Sequence, residues 1–431
     1  MSEGRRLFIN STWIIGGKIT QTLISFIMGV LVVRYLGPRD YGTLNLAMAY
    51  STFILPICTL GINNIIVNEL INYPKREGVL LGSGIGMRCL TSSISILLLA
   101  IFILLTNPEN INLQLISFVY SFVLLFRSFD LFDYFYQSKL LSKISSVISV
   151  IGYIIASIYR VFLLLNKSDV VWFAIAYVLD MFIVSLLFLI MYKKNGGELF
   201  FNMQIAKSLL SKSYHYILST FMVVVYAQMD KIMIGGFFDE KQVGLYSTAI
   251  LICTVWTFVL QAIVDSVRPT IIEIRKIDYN KYKDYIVLLY SFIIWISIFV
   301  SIVFCLAAKP LVLLLYGDAY LGAIEPLRII TWYVSFSYLG VARNIWSVCE
   351  NKQKYEKYFA CSGAVANLTL NLILIPLLGI NGAAFASLLT QVITNLLVPF
   401  LIKDTRENAI LVVKGMNFFY FKRSICSYFI K

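Results

Sequence analysis

Twelve charged side chains lie inside stretches that are otherwise apolar. Seven are basic (Lys18, Arg88, Arg127, Arg160, Lys231, Arg328 and Arg343) and five are acidic (Asp130, Asp133, Asp180, Asp230 and Asp265). Arginine offers a planar fork of N–H donors that matches phosphate oxygens. A carboxylate in an apolar span can carry a proton or a cation, because its ionisation and ligation respond to small changes around it. Facing lipid, each group would cost about 2.5–3.5 kcal/mol, on the order of 30 kcal/mol together, which exceeds ordinary fold stability. The charges must therefore face protein or a hydrated interior.

One segment arranges them on a single face. In FRSFDLFDYFYQS, Arg127, Asp130, Asp133 and Gln137 follow at spacings of three, three and four, which align along one side of a helix. This stripe either neutralises itself through an internal Arg127–Asp130 pair or lines a path for a polar cargo, and one does not exclude the other. Asp230 and Lys231 are neighbours about 100° apart on a helix, so one partner cannot serve both. Either Asp230 pairs across helices while Lys231 reaches outward to the interface, or Asp230 gates or couples transport. Lys18 and Arg328 lie near span ends, where a long side chain can reach the interface. Arg88 and Asp180 are the most central. Asp265 and Arg268, three apart near a span end, are expected to pair.

Other tempting patterns carry little. GSGIG at 82–86 mimics a dinucleotide loop, but no strand precedes it, and small residues inside a span argue for close helix packing. The sole histidine, His215, has no metal or triad partner, and no Walker loop occurs. The seven cysteines are odd in number, lack a Cys-x-x-Cys and sit in apolar runs, so they read as small core thiols with neither a disulfide framework nor a zinc site.

The elements that must position these charges follow from composition. Of 431 residues, 59% are hydrophobic and 14% charged, with a mean hydropathy of +0.81; this composition marks a multi-pass membrane protein. Residues 1–12 are short and polar and the first apolar run is long enough to span, so no cleavable leader is expected. Cutting at the polar clusters gives twelve spans, near 13–35, 43–66, 80–105, 112–136, 144–165, 170–192, 214–236, 244–267, 285–307, 326–349, 357–378 and 380–402. No ten-residue alternation supports a barrel, so the fold class is an all-α membrane bundle. With the N-terminus inside, 24 of the 36 Lys and Arg fall in cytoplasmic segments, five outside and seven within spans. Both termini are then cytoplasmic. The net charge of +13 records topology, and nucleic-acid binding is unnecessary.

Four regions result: a six-helix lobe at 1–192, a cytoplasmic inter-lobe loop at 193–213, a second six-helix lobe at 214–403 and a basic, aromatic tail at 404–431. The tail reads as interfacial, since Lys414, Lys422 and Arg423 interrupt it. A repeat supports the division. RYLGPRDYGTLNLAMAY (34–50) and GGFFDEKQVGLYSTAI (235–250) each run from a helix exit into the start of the next helix, with Gly42 and Gly244 202 residues apart.

Three stretches, VVRYLGPRDYGTLNLA (32–47), MDKIMIGGFFDEKQVGLYSTA (229–249) and ANLTLNLILIPLLGINGAAFASLLT (366–390), together resemble Wzx-type polysaccharide flippases of the MOP (multidrug, oligosaccharidyl-lipid, polysaccharide) exporter superfamily. The third is the most specific, through Asn367, Asn371, Pro376, Gly379, Gly382 and Ala383-Ala384. Read physically, it is a helical hairpin at the outer face: Pro376 and Gly379 end one span, Asn381-Gly382 turns, and small residues let the next span pack back. The resemblance implies a MATE-like V of two lobes in a bacterial inner membrane. The substrate it implies is an undecaprenyl-pyrophosphate-type lipid-linked oligosaccharide, moved from the cytoplasmic to the periplasmic leaflet for O-antigen, lipopolysaccharide or capsule synthesis. A polysaccharide polymerase and a chain-length regulator would be its partners, besides membrane lipids. Arg88, Arg127, Arg160, Arg343 and Lys18 are the candidates to hold pyrophosphate and anionic sugars. Asp180, Asp133, Asp130 and Asp230 are candidates for ion coupling or gating, with Asp180 and Asp133 ranked first. No cofactor beyond a coupling ion, H+ or Na+, is expected.

Three other functions remain in play, one of them a non-transporting membrane scaffold, which would not explain so many intramembrane charges. An ion-coupled multidrug exporter of the same fold would favour acids in its interior, whereas bases outnumber acids here. A membrane polysaccharide polymerase, an enzyme, would need a sizeable outward loop or paired catalytic carboxylates, and the outward loops are short.

Overall fold

The computed structural model describes residues 3–422, with side chains from Gly16 onward and at Trp13. The side chains of Arg5 and Arg6, and Arg423, Cys426 and Lys431 entirely, lie outside the described residues. Every regular element described is helical. In chain order they are α1 (Glu3–Thr59), α2 (Asn63–Asn72), α3 (Glu77–Thr106), α4 (Ile111–Phe126), α5 (Leu131–Ser138), α6 (Ser142–Leu165), α7 (Val170–Asn195), α8 (Met203–Phe237) and α9 (Glu240–Thr254). They continue with α10 (Thr257–Ile277), α11 (Tyr279–Tyr316), α12 (Ile324–Ile330), α13 (Tyr333–Cys349), α14 (Glu356–Leu378), α15 (Ile380–Val392), α16 (Val398–Leu401) and α17 (Arg406–Gly415). Short 3₁₀ turns join several of them, and residues Ile393–Leu397 form a π-helix between α15 and α16.

Among the described residues, nine helices are long and apolar enough to cross a membrane, or ten if the bent pair α9 and α10 counts as one span. The difference from twelve has local causes. The two first expected spans run together as α1, whose geometry is broken at Gly37 (φ 73°, ψ 171°) with Pro38 next. Glycine enters that region without the penalty a Cβ would bring, and proline suits the first turn of the helix that follows. The expected span 326–349 is divided at Thr331-Trp332 into α12, of 7 residues, and α13, of 17, the first too short to span and the second at the lower limit.

The repeat is visible in the backbone. Asp239 separates α8 from α9 in extended conformation (φ −142°, ψ 173°) and accepts the Gln242 N–H at 2.9 Å. It lies 202 residues after Gly37, the offset that the two quoted stretches share.

The chain divides into two compact units, Met1–Val224 and Val225–Lys431. Sequence reading placed the divide in a 193–213 loop; the non-helical part is shorter, and Met203 already starts α8. The first turns of α8 are tied to the first unit, where Ser213 Oγ donates to the Leu60 carbonyl at 2.7 Å and Lys212 pairs with Glu69 at 2.7 Å. The connection before α8 lies against α3. A Cβ on Gly82 would stand 2.5 Å from the Phe200 carbonyl oxygen, and one on Gly86 2.8 Å from the Phe201 ring. GSGIG is thus a packing surface, as its place in a span predicts.

In the second unit the expected hairpin forms, but its turn lies at Gly379 and Asn381-Gly382 already belong to α15. Gly379 adopts φ 62° between α14 and α15, and a Cβ on Gly382 would collide with the Leu374 carbonyl. The described tail does not stand free. Asn408 on α17 donates to the Tyr290 hydroxyl of α11 at 2.5 Å, and Gly415 packs on Tyr290 and Ser291. The Phe418 ring meets Trp295 of α11 edge-on at 5.0 Å.

Candidate functional site

In the first unit the charged residues fall into two arrangements. Arg88 is buried on α3 where α1 ends. Leu60 (φ 53°) and Gly61 (φ 63°) break the helix and leave its last carbonyls without intrahelical partners. Arg88 Nε donates to one of them, Thr59 O, at 3.2 Å, and Nη2 donates to Asn63 Oδ1. A guanidinium at a helix C-terminus is favoured by the dipole, and here it shares Thr59 O with the Ile62 N–H at 3.2 Å. The centrality that singled out Arg88 thus has a structural cause, with only Nη1 left without a partner.

Arg160 differs. It is 2% exposed, and its Nη2 stands 3.8 Å from the carboxylate of Asp180, an ion pair too long to be a hydrogen bond. Nε and Nη2 have no hydrogen-bond acceptor. The guanidinium carbon lies 4.3 Å from the Tyr177 ring centroid and 5.3 Å from that of Tyr153, within cation–π range. The Ser157 hydroxyl, one turn earlier on α6, is also buried and unpartnered. A charged fork with two unmet buried donors between aromatic faces is suited to an oxyanion or a sugar hydroxyl.

The stripe at 127–137 forms only in part. Asp133 accepts from Gln137 Nε2 at 2.9 Å. Arg127 and Asp130 are half-buried and form no ion pair with each other within 4 Å among the described residues. Residues 127–130 wind as a 3₁₀ turn between α4 and α5, which keeps positions three apart on one face but turns them relative to Asp133 and Gln137 on α5, so the single stripe is interrupted.

In the second unit Asp230 is 4% exposed and sits at the centre of a hydrogen-bond cage. Tyr246 (α9) donates to Oδ2 at 2.6 Å, joined there by the Ser387 (α15) hydroxyl. The Asn367 and Asn371 amides (α14) donate to Oδ1 at 3.0 and 2.6 Å. Four neutral donors from three other helices thus surround one carboxylate, which has no ion pair among the described residues. Asn371 Oδ1 is buried and without a partner. Lys231 is half-buried and makes no ion pair among the described residues. Sequence reading named Asp230 but not its cage. Asn367 and Asn371, four apart on an otherwise apolar helix, were the legible signal.

Arg343 is engaged on another face through both terminal nitrogens, with Nε buried and without a partner. Nη1 donates to Thr394 O at 3.1 Å and Asn395 Oδ1 at 2.9 Å, and Nη2 meets Glu356 Oε2 at 3.2 Å, with the guanidinium 4.0 Å from the Phe359 centroid. Glu356 is held in turn by Ser347 at 2.6 Å, and Asn395 by its donation to Gln391 at 2.7 Å. Thr394 and Asn395 belong to the π-helix, where the altered register frees a carbonyl that an α-helix would occupy. Gly340, one turn before Arg343, leaves the room into which Asn395 reaches.

The remaining residues are dispersed. Lys18 is exposed, and Arg328 is half-buried and pairs with Glu325 at 2.6 Å. Asp265 does not pair with Arg268: Gln261 donates to Asp265 at 3.0 Å, and Arg268 donates to Asn344 at 2.6 Å. Asn344 lies on a different helix and offers a better-placed acceptor than the exposed carboxylate. Among the described residues no group of His, Cys, Asp and Glu could hold a metal ion by itself.

The family model described as polysaccharide biosynthesis protein matches residues 7–275. The chain belongs to the polysaccharide biosynthesis protein family. No curated protein sequence matches this family member. Among solved structures it is similar to one described as lipid II flippase MurJ in an inward closed conformation, at 13% identity and a TM-score of 0.74, covering 96% of this chain and 98% of that one. It is also similar to an inward-facing multidrug resistance MATE family transporter of the MOP superfamily (14%, TM-score 0.68, 94% of each chain). A third is the MATE multidrug transporter DinF-BH in complex with R6G (15%, TM-score 0.68, 95% and 97%). At such identities the likeness establishes the fold: this family member has the architecture of MOP transporters and is a multi-pass membrane protein.

Proposed function

We propose that the protein is a flippase that moves a polyprenyl-pyrophosphate-linked oligosaccharide from the cytoplasmic to the periplasmic leaflet of a bacterial inner membrane. It would work by alternating access on twelve spans with both termini cytoplasmic, and would feed O-antigen or capsule assembly beside a polymerase and a chain-length regulator. The observation that carries this reading is the match to a polysaccharide biosynthesis family over most of the chain, joined to a fold shared with a lipid-linked substrate flippase. Arg160, between Tyr153 and Tyr177 and with two unmet donors, is the residue best prepared to meet an anionic group of the cargo, with half-buried Arg127 second. Lys18 keeps a free ammonium. Arg88 and Arg343 serve first to fix helix ends and the π-helix.

Asp230 is the carboxylate best placed to couple an ion, ahead of Asp180, Asp133 and Asp130. Its four donors belong to groups that can also turn an oxygen toward H+ or Na+: two amides, a phenol and a hydroxyl. The multidrug-exporter reading keeps support from the two MATE transporters of the same fold. The test is complementation of a deletion strain with Arg160→Gln and Arg160→Lys at matched protein levels. Loss of surface polysaccharide in the first with partial recovery in the second supports the flippase reading. Unchanged polysaccharide with altered resistance to organic cations supports the exporter.

A further inference from the structure

The cytoplasmic end of α11 and the tail enclose a cavity of about 540 Å³ lined by Asp278, Lys281, Lys283, Asp284, Lys414 and Tyr420. Its charges are not equivalent. Asp278 accepts the backbone N–H groups of Asn280 and Lys281 at 2.9 and 3.0 Å and so caps α11. Lys283 pairs with Glu407 at 2.6 Å. Lys281 and Lys414 form no ion pair among the described residues, so two free ammonium groups face the cavity beside a phenol.

The rim continues into apolar surface. Beyond the face of α17 that packs on α11, Val413 is 52% exposed, Phe418 56% and Phe419 67%. An element with one face on protein and an opposite face of Val, Met and Phe, flanked by lysines, belongs at the headgroup level of a bilayer. α11 becomes largely apolar within one turn after Lys283, so the cavity opens where a membrane's phosphates would lie.

We infer that this cavity seats the headgroup of an anionic glycerophospholipid, with Lys281 and Lys414 on its phosphate, Tyr420 at its glycerol and the acyl chains running along Val413, Phe418 and Phe419. The site lies within one unit, shares no residue with the Arg160 or Asp230 clusters, and does not depend on what the protein transports. Free phosphate shares the charge but not the acyl chains, so the exposed phenylalanines favour the lipid.

The test uses full-length protein in nanodiscs of phosphatidylcholine with phosphatidylglycerol, followed by stepwise delipidation and measurement of the phosphatidylglycerol retained. Lysines at a membrane surface contribute about fivefold each to anionic lipid affinity. Lys281→Gln with Lys414→Gln should therefore weaken retention about 25-fold, while Lys281→Arg with Lys414→Arg preserves it and Lys354→Gln with Lys357→Gln, elsewhere on the cytoplasmic side, leaves it unchanged. Equal retention by the first pair and wild type overturns the inference. So does equal loss in the Lys354 and Lys357 pair, which would indicate diffuse attraction, and so does displacement of the lipid by inorganic phosphate alone. The arginine pair guards against misfolding: if it also loses the lipid while its helical circular dichroism is intact, the site is not electrostatic and the inference fails.

Discussion

Replacing Asp230 separates two roles that one residue combines. In Asp230→Leu the carboxylate disappears while Tyr246, Asn367, Asn371 and Ser387 stay buried around it. An unsatisfied buried donor costs about 1–3 kcal/mol. Tyr246 and Ser387 lie 3.3 Å apart and can bond each other, and Asn371 already donates to Asn367 at 3.0 Å. Two of the four donors therefore find relief and two do not, which gives a loss of about 2–6 kcal/mol. In Asp230→Asn the side chain keeps one oxygen for the α14 amides and turns an NH2 toward two hydroxyls, which can accept as well as donate. Burial of an unpaired charge ends at the same time, so this variant should stay within about 1 kcal/mol of wild type. Reversible unfolding in mixed detergent gives both values, and transport at imposed proton or sodium gradients gives the coupling. The expected result is a stable Asp230→Asn that no longer responds to either gradient and an unstable Asp230→Leu. The reasoning is refuted if Asp230→Leu is as stable as wild type, or if Asp230→Asn responds normally to both gradients.

Glu356→Gln should lower stability by less than Arg343→Met, because Glu356 is 31% exposed and water can replace its partner whereas Arg343 is 6% exposed; breaking a buried pair from the arginine side costs about 3–5 kcal/mol, and a double-mutant unfolding cycle should show coupling. Gly382→Ala should destabilise the hairpin by about 1–3 kcal/mol through collision with Leu374, and Gly379→Ala, which has open space but φ 62°, by about 1–2 kcal/mol through backbone strain alone. Both can be read from the same unfolding curves. Tyr355 and Lys352 hold the Asp404 carboxyl below its ordinary value, so that contact persists above about pH 4 and is lost as pH falls through the lowered value. Amide exchange at 403–405 should quicken only at acid pH, and Tyr355→Phe should move that onset upward.

The membrane class and helical content were legible because hydropathy is read almost directly by lipid: each span must satisfy its own backbone and bury few charges. The repeat was legible because a helix break needs particular residues, here Gly37 and Asp239. What escaped was pairing across helices. Twelve apolar stretches do not say that Arg88 will cap α1 at Thr59 or that Asn395 will reach Arg343 through a π-helix, because both depend on a local loss of α-helical register that hydropathy does not encode. Arg127 and Asp130 misled differently: three residues apart they share a face in the 3₁₀ turn, yet their side chains do not close to ion-pair distance. Depth along a span ranked Asp180 above Asp230, and depth could not show that four donors from other helices converge on Asp230. Tyr153, seven residues before Arg160, and Tyr177, three before Asp180, mark the aromatic flanks in retrospect, as helical spacing puts each on its partner's face.

The central claim is tested most directly by deleting the gene in its host and measuring which leaflet holds the lipid-linked oligosaccharide, using an impermeant probe of the sugar. The account predicts accumulation facing the cytoplasm, relieved by the wild-type gene and not by Arg160→Gln at normal protein levels. Complete repeat units at the periplasmic face that remain unpolymerised would contradict it and point to a polymerase.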